Sequence, residues 1–491
     1  MGILLAIYAV LLRLIPILNN RFSFMYDNAK DSLVMLEMFQ YHKPALLGPT
    51  TSLEGLFYGP AWYYIALPFN ILGQFHPFAS VAMVLFLVAL STFVLTRVFG
   101  KTTGFLFAVS IGAIGTQNTA WTPYMTTFPM IAVFILLSSM KHQKKISLWL
   151  SALLGLFVSL MFHFQVAYAV VFLPLVFLVL IKEKIPFAWK HWCVAFFAFL
   201  LPMLPQAFFE TRHDFLQTRS VIRYIHTYCS ESQKIQPNSS GILRVKEVTE
   251  YMFDNAKLSV LSFDQAWIAT IVLLFIGISI VKRKKNFLVR TSLTFIVGSF
   301  LFYLVLPIKP YYLTALIPVW IILFSQCLQT VSKNSRSFIL VSYAVLSVVH
   351  LQQGIDRAKQ YEKTDVFFLG PKMQAIQTAY EMSEGKPFAS YQYVPEIYDY
   401  TYQYLYLVGQ QNGKQLPTEF SYAAGEYTYI PQKHVQRSTT RPTFTILIVE
   451  KPKTNWLYDQ WKDRVTKNLE IIETRKINDA LTVYKTIPKK L

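Results

Sequence analysis

Two acidic residues, Asp27 and Asp31, stand four residues apart just after the first apolar run of the chain, in the stretch "FMYDNAKDSLVMLEMFQYH" at 24–42. If residues 28–41 form a helix, Asp27 is at its N-cap and Asp31 lies one turn further on a similar face. A carboxylate next to a membrane surface can act as a general base that takes a proton from an alcohol. The alternatives stay open: Asp27 as a helix cap only, and Asp31 and Glu37 as part of a solvated helix face.

Two further stretches place basic residues where they could meet an anion. Arg212 and His213 lie in "FFETRHDFLQTRS" at 208–220, and Lys309 and Tyr311 lie in "PIKPYYLTALIP" at 307–318. An arginine can hold a phosphate with a bidentate fork, and a lysine can hold it as a point charge. The alternative for both stretches is contact with lipid head groups or membership of an interfacial aromatic belt.

The composition indicates which elements must position these residues. Of 491 residues 54% are hydrophobic and only 15% are charged, against ~25% charged residues in soluble domains, and the mean hydropathy is +0.36. Apolar runs near the ~20 residues that a spanning helix needs recur before residue 352. We therefore predict a polytopic α-helical membrane protein with about eleven spans. The candidate spans are 2–18, which we expect to be retained, and 78–96, 103–118, 126–140, 147–162, 165–181, 191–209, 264–281, 288–306, 311–329 and 337–351.

The charge and the cysteines exclude other classes. The formal charge is +19, but much of the excess lies in short loops between apolar runs, and no nucleic-acid-binding motif is present. We assign it to membrane orientation and to anionic lipids as partners, with no nucleic acid. The three cysteines lack any metal-ligand spacing, so no metal site is predicted, although the outer acids leave a divalent cation open.

Alternate loops carry the basic residues, including "KRKK" at 282–285, while the opposite short loops at 119–125 and 163–164 have none. The positive-inside rule places the N-terminus in the cytoplasm. The segment 19–77, the loop 210–263 and the tail 352–491 would then lie outside, so that residues 1–351 form a transmembrane domain and 352–491 an extracytoplasmic one.

The outer segments have recognisable local patterns. Residues 59–73 are apolar but interrupted by Pro60 and Pro68, which predicts an interfacial helix with Trp62, Tyr63 and Tyr64 at head-group level; the alternative is an extra short span. Residues 46–60 are dense in glycine and proline and predict an ordered irregular loop. In the tail, 370–384, 394–409 and 454–466 read as helices and 444–450 and 481–487 as strands, which predicts a small α/β domain.

These features, taken in order, resemble the GT-C superfamily of integral-membrane glycosyltransferases, in particular its protein-O-mannosyltransferase and aminoarabinose-transferase branch. The resemblance rests on "YDNAKDS" (26–32), "LLGPTTSLEGLFYGPAWYYIALPF" (46–69), "FETRHDF" (209–215) and "KPYYLTALIP" (309–318), and it covers residues 1 to about 350. Where eukaryotic mannosyltransferases of this branch have adjacent Asp-Glu in the first loop, this sequence has Asp27 followed by Asn28. The family's catalytic acid maps onto Asp27, with Asp31 as a competitor.

The resemblance implies a bacterial glycosyltransferase (hexosyl or pentosyl) that moves a sugar from a polyprenyl-phosphate donor to an acceptor hydroxyl on the outer face of the cytoplasmic membrane, with inversion. The leaving phosphate needs positive charge rather than an acid, which Lys309, Arg212 and Lys30 could supply, while Asp27 acts as the base. Asp31, Glu54 and His213 would shape the site. Tyr58 and Tyr311 complete the candidate residues for substrate binding.

Two other functions stay open. A flippase or transporter of lipid-linked glycans would predict polar residues deep in the spans and internal repeats. A polymerase or ligase would use a polyprenyl-diphosphate donor. The sequence identifies neither the sugar nor the acceptor, which could be protein, lipid or glycan.

Overall fold

The structure, a computed structural model, describes residues 1–230, 241–395, 398–425 and 440–489. It forms two compact units. The first unit consists of Met1–Leu14, Ala45–Ala66 and Met83–Leu351, and the second of Ile15–Pro44, Leu67–Ala82 and Gln352–Leu491. The packing units therefore interleave along the chain, while the division at residue 351 into a transmembrane and an extracytoplasmic domain stays a prediction.

Helices dominate the chain up to residue 383. In order they are α1 (Gly2–Ile17), α2 (Tyr26–Gln40), α3 (Ala61–Leu72), α4 (Phe78–Val98), α5 (Lys101–Val109), α6 (Ile111–Thr116), α7 (Thr127–Lys141), α8 (Leu148–Phe164), α9 (Val166–Lys182), α10 (Trp189–Arg212), α11 (Leu216–Ser230), α12 (Ile242–Val260), α13 (Ala266–Arg283), α14 (Phe287–Tyr303), α15 (Ile317–Cys327), α16 (Lys333–Thr364) and α17 (Leu369–Ser383). Short 3₁₀ helices at Thr122–Thr126 and Pro310–Leu316 lead into α7 and α15, and a third follows α15 at Leu328–Thr330.

Many of these helices are suited to a membrane. Among the described residues, six segments are long and apolar enough to cross one: Phe78–Val98, Thr122–Lys141, Trp189–Arg212, Ala266–Arg283, Pro310–Thr330 and Lys333–Thr364. Shorter apolar helices are α1, α3, α8, α9 and α14. The prediction of a polytopic helical membrane protein is confirmed, whereas the number of about eleven spans stays a prediction.

The predicted span 103–118 is two helices, α5 and α6, separated at Ser110. The helical ladder stops there because Ser110 has an extended ψ of 123°, and its hydroxyl accepts the Ala113 N–H as the cap of α6. Arg13 of α1, fully buried, donates to the carbonyls of Phe107 (3.2 Å) and Ala108 (3.0 Å) that end α5. A cation at this position satisfies carbonyls that have no partner in their own helix.

Most of the predicted interfacial segment 59–73 forms the helix α3. Trp62 and Tyr63 are almost completely buried, whereas Tyr64 is 40% exposed. The expectation that all three rings lie at head-group level is therefore wrong for Trp62 and Tyr63, because these two rings pack inside the protein.

The second unit contains the remaining elements: β1 (Phe388–Tyr393), α18 (Tyr400–Gln411), β2 (Glu419–Ser421), β3 (Phe444–Glu450), α19 (Asn455–Thr466), β4 (Leu469–Asn478) and β5 (Leu481–Pro488). The strands form one sheet in the order β2-β1-β3-β5-β4. The strands β2, β1 and β3 are parallel, β5 pairs antiparallel with β3, and β4 pairs antiparallel with β5. The predicted small α/β domain is confirmed.

Residues 15–44 fold together with this tail in the second unit. The N–H of Phe24 donates to the Phe367 carbonyl (3.3 Å), and the N–H groups of Leu369 and Gly370 donate back to the carbonyls of Phe22 and Asn20 (3.1 Å each). The helix α18 packs against α2 in the same unit. Residues 15–44, which include Asp27 and Asp31, are thus held by residues from the other end of the chain.

Candidate functional site

The helix that carries the two acids begins earlier than the sequence predicts. Met25 is the N-cap of α2, and its N–H donates to the Asn28 side-chain oxygen (3.1 Å). The expectation that Asp27 is the N-cap is therefore wrong, because Asn28 reaches back to this end of the helix. Asp27 lies in the first turn and is half-buried, where the partial positive charge of the helix N-terminus stabilises its ionised form.

Asp31 and Glu37 are not on a solvated face. Their exposed fractions are 6% and 8%, because this side of α2 is covered rather than open to water. A buried carboxylate is costly unless it is paired or hydrogen-bonded. Burial lowers the pKa of Lys30 on the same helix, and the negative charges of Asp31 and Asp27 oppose this lowering. The residues Asp27, Lys30 and Asp31 therefore form one charged cluster, which we call the α2 cluster.

In the first unit, residues 46–60 form a short hairpin-like loop. Gly48 N–H donates to the Tyr58 carbonyl (2.9 Å), and Tyr58 N–H donates to the Pro49 carbonyl (2.9 Å). Gly55, with a φ of +76°, allows the reversal at the tip. Glu54 precedes it and is exposed, so the structure places this candidate at the end of the hairpin.

Buried polar side chains hold the base of this hairpin. The Tyr58 hydroxyl donates to the Gln165 side-chain oxygen (3.1 Å), and the Ala61 N–H donates to His163 Nδ1 (3.2 Å). Gln217 accepts the Phe57 N–H at 3.0 Å. Tyr58 itself is 8% exposed, so its side chain helps to position the loop.

Lys309 and Tyr311 belong to a second arrangement, formed by the two 3₁₀ helices Thr122–Thr126 and Pro310–Leu316. The hydroxyl oxygens of Thr126 and Thr314 are 3.0 Å apart, and Thr314 Oγ1 is 3.1 Å from the Pro123 carbonyl oxygen. The two helices therefore contact each other directly, and each carries a proline followed by a tyrosine in its first turn.

Aromatic rings extend from this contact. Trp121 meets Tyr124 edge-on at 4.9 Å and Tyr311 at 5.1 Å, and Tyr311 meets Tyr312 at 4.9 Å. The ammonium of the exposed Lys309 is 5.9 Å from the centre of the Tyr311 ring. We call these five residues the aromatic–lysine cluster. A cation beside aromatic surfaces can hold a group that is anionic at one end and apolar at the other.

Trp121 and Tyr124 are not among the site residues predicted from the sequence. The signal was present, because "TPYM" at 122–125 has the same Pro-Tyr order as "KPYY" at 309–312. Two separated Pro-Tyr pairs that each precede an apolar run could have been matched to each other.

Arg212 and His213 end α10 and are both exposed. The Arg212 guanidinium lies 5.4 Å from the centre of the Phe208 ring, and the His213 ring stacks on Phe209 at 3.9 Å. Glu210 beside them caps α11, since its carboxylate accepts the N–H groups of Gln217 (2.9 Å) and Thr218 (3.0 Å). Arg212 and His213 are thus brought together, each on an aromatic ring of its own helix.

Over the described ranges, no group of three or more His, Cys, Asp or Glu side chains is arranged to hold a metal ion. Residues 231–240 of the loop 210–263 lie outside the described residues. The candidate residues therefore fall into the α2 cluster of the second unit and, in the first unit, the hairpin with Glu54 and Tyr58, the aromatic–lysine cluster, and the end of α10.

No family model matches the sequence, and no curated protein matches it. Solved structures do match. The crystal structure of ArnT from Cupriavidus metallidurans bound to undecaprenyl phosphate superposes with a TM-score of 0.58 at 11% identity, over 98% of this chain and 97% of that one. The apo structure of the same ArnT gives the same values. The resemblance to GT-C membrane glycosyltransferases is thus confirmed at the level of the fold: this chain has an ArnT-like fold over almost its full length.

Proposed function

We propose that the protein is a membrane glycosyltransferase that takes a sugar from a polyprenyl-phosphate donor. The observation that carries this proposal is the ArnT-like fold, which covers 98% of this chain and is seen in a structure bound to undecaprenyl phosphate. The residues add a chemical reason. The chain has a carboxylate cluster in a helix outside the apolar runs and an exposed lysine among aromatic rings.

In the proposed reaction Asp27 is the general base. Its carboxylate accepts the proton of the acceptor hydroxyl as that oxygen attacks the anomeric carbon, and the bond from that carbon to the phosphate oxygen breaks. The leaving polyprenyl phosphate is an anion, so it needs electrostatic stabilisation rather than a proton. We assign this to Lys309 first and to Arg212 second. Attack in line with the leaving group inverts the anomeric centre.

The remaining candidates have supporting roles. Asp31 is the competing base, and its burial disfavours the ionised form that a base needs unless Lys30 or other partners compensate. Glu54, Tyr58, His213 and Tyr311 are proposed to contact or shape the substrate. We propose that the reaction occurs at the outer face of the cytoplasmic membrane, with the N-terminus inside and residues 352–491 outside.

The experiment is a donor-cleavage assay on the full chain in lipid nanodiscs. The protein is incubated with polyprenyl-phosphate sugars and simple acceptors, and released polyprenyl phosphate is measured. We expect release with the wild type and a loss of about 100-fold or more for Asp27→Asn, since a general base contributes about 10²–10⁴. The matched control is Asp459→Asn, an exposed aspartate of α19 in the same unit, which should retain the wild-type rate.

The same assay separates the alternatives. Transport of intact donor without release of polyprenyl phosphate would identify a flippase and overturn the proposal. Cleavage of a polyprenyl-diphosphate donor without cleavage of a polyprenyl-phosphate donor would identify the polymerase or ligase alternative. Loss of activity in Asp31→Asn together with a normal Asp27→Asn would move the base to Asp31.

Orientation is tested with single cysteines in a cysteine-free chain. A membrane-impermeant maleimide should label position 459 in intact cells and position 144 only after permeabilisation. Labelling in the reverse order would reject the proposed topology.

A further inference from the structure

A groove in the first unit lies between α8, α9 and α10, away from the residues assigned above. Its volume is about 730 Å³, and its lining is apolar and aromatic apart from one thiol. The residues that define its walls are Leu154 and Val158 of α8, Val176 and Leu180 of α9, and Cys193 and Phe199 of α10.

Two features of the helices create the groove. At Gly155 the α8 backbone approaches α10 so closely that a side-chain Cβ would lie 1.9 Å from the Ala195 carbonyl oxygen. Large rings instead separate α9 from α10, where Phe177 and Trp192 stack at 4.9 Å. The helices α8 and α10 therefore pack tightly while α9 stands away from α10, which leaves apolar space along α10.

The length of the groove corresponds to one leaflet. Its lining extends along α10 from Trp189 to Phe199, a rise of about 15 Å at 1.5 Å per residue. The hydrocarbon core of a bilayer is about 30 Å thick. Trp189, which is 80% exposed, marks the interfacial end, since tryptophan favours head-group level.

The segment that leads into this end of α10 is basic, since Lys184 and Lys190 flank the lining residues Phe187 and Trp189 in the sequence. Lys184 and Lys190 are exposed, and within the described ranges neither has an ion-pair partner. The nearby acid does not neutralise them, because the Glu183 carboxylate is engaged by Arg290 and by Lys141. An apolar groove about 15 Å long on α10 thus begins beside a segment that carries two lysines without an ion-pair partner among the described residues.

We propose that this groove binds an anionic phospholipid of the leaflet on the side of the basic loops, with one acyl chain along α10 and the head-group phosphate at Lys184 and Lys190. Basic pockets between spanning helices are a recurring way to recognise anionic head groups. A polyprenyl chain fits less well, because it is longer than one leaflet. This site is independent of the proposed transfer reaction.

The test uses Cys193 as a reporter in full-length protein carrying Cys229→Ser and Cys327→Ser. Alkylation by a membrane-permeant maleimide is followed in nanodiscs of phosphatidylcholine with or without phosphatidylglycerol. An acyl chain in the groove shields the thiol, so we expect phosphatidylglycerol to slow alkylation by about threefold or more. Lys184→Gln/Lys190→Gln should abolish this difference, whereas Lys284→Gln/Lys285→Gln, which removes the same charge from another basic loop, should preserve it.

Native mass spectrometry of the wild type and both double variants gives a second measurement. It tests lipid binding directly if Cys193 does not react with the maleimide. Phosphatidylglycerol should be retained by the wild type and the 284/285 variant and be lost from the 184/190 variant. Equal protection by both lipids, or equal behaviour of the two double variants, would overturn the proposal. Stronger protection by polyprenyl phosphate than by phosphatidylglycerol would also overturn it.

Discussion

Lys309 and Arg212 are both exposed cations next to aromatic rings, but the rings are held differently. The Tyr311 ring beside Lys309 also contacts Trp121 and Tyr312. The Phe208 ring beside Arg212 is itself 53% exposed. Lys309 is thus supported by neighbouring side chains, while the position of Arg212 also suits a head-group residue whose stem lies along apolar surface.

We therefore expect Lys309→Gln to impair use of the donor more than Arg212→Gln. Loss of a charged contact to the phosphate should reduce kcat/KM for a polyprenyl-phosphate sugar by about tenfold or more, the equivalent of about 1.4 kcal/mol. Arg212→Gln should stay within about threefold of the wild type. The measurement is initial-rate kinetics over a donor series, and a larger loss for Arg212→Gln would reverse the order of the two roles.

Glu183, between α9 and α10, shows how a loop outside the spans is held by charge. Its side chain is 2% exposed and is bound by Arg290, with Lys141 Nζ 3.8 Å from its carboxylate. The hydrogen bond from Arg290 lowers the pKa of Glu183 against the opposing effect of burial, and the nearby positive charges lower it further.

This pairing predicts a pH-dependent loss of stability in Glu183→Gln. A carboxylate with a lowered pKa stabilises the folded state above its ordinary pKa of 4.5, and the contribution disappears as the pH falls through the lowered value. Thermal unfolding in detergent should therefore show a lower Tm for the variant at pH 7, by an amount equivalent to about 2 kcal/mol, and the two curves should converge on acidification below pH 4.5. A constant difference down to pH 3 would contradict the assignment.

At the scale of elements, the hairpin 46–60 depends on close backbone packing. Gly59 lies against His163, and a Cβ at this position would be 1.8 Å from His163 Nδ1. The same Nδ1 accepts the Ala61 N–H. Any side chain at residue 59 must therefore displace either the imidazole or the hairpin.

We expect Gly59→Ala to lower the Tm of the protein clearly, by the equivalent of about 1–3 kcal/mol for overpacking, with a loss of donor cleavage because the loop moves. Gly277→Ala is the matched control, since a Cβ there meets nothing within 4 Å, and in a helix alanine is favoured over glycine. Removal of the ring should relieve the clash, so the double variant Gly59→Ala/His163→Ala should be less destabilised than the sum of its single variants. Strict additivity would show that the clash is absent.

Hydropathy and local pattern predicted much of the element content. The strands β3 and β5 and the helices α17 and α19 lie within a residue or two of their predicted positions. The break at Ser110 was missed because a serine in an apolar run does not interrupt the periodicity, and because Arg13, which donates to the carbonyls that end α5, is far away in the sequence. β4 was missed because its largely exposed residues give no apolar alternation.

The candidate site was predicted less completely from the sequence than the helices and strands were. The cap was misassigned because Met25, which has no capping side chain, is the N-cap, and the Asn28 side chain accepts its N–H; the sequence favours Asp27 because aspartate is a common capping residue. The burial of Asp31 and Glu37 was missed because acidic residues in a helix next to an apolar run are usually exposed to water. Burial there is set by contacts with elements remote in the chain.

At the scale of the whole molecule, the second unit joins the two ends of the sequence. The backbone pairing of residues 20–24 with 367–370 is extended by Lys372, a buried residue whose Nζ donates to the Phe24 carbonyl at 2.9 Å. Phe24 also packs its ring on Tyr404 of α18 at 5.7 Å. The position of α2 in this unit therefore depends on residues that are synthesised last.

Lys372→Met tests this dependence, because it keeps the volume of the side chain but removes the donor to Phe24. A buried carbonyl left without its charged donor costs about 1–3 kcal/mol, so we expect a lower Tm and faster protease cleavage within residues 19–26. Lys476→Met, at an exposed lysine of β4 in the same unit, should leave both measurements unchanged. If cleavage instead increased only within the tail, with residues 19–26 still protected, residues 19–26 would be held independently of the C-terminal sheet, and the proposed base would not depend on the end of the chain.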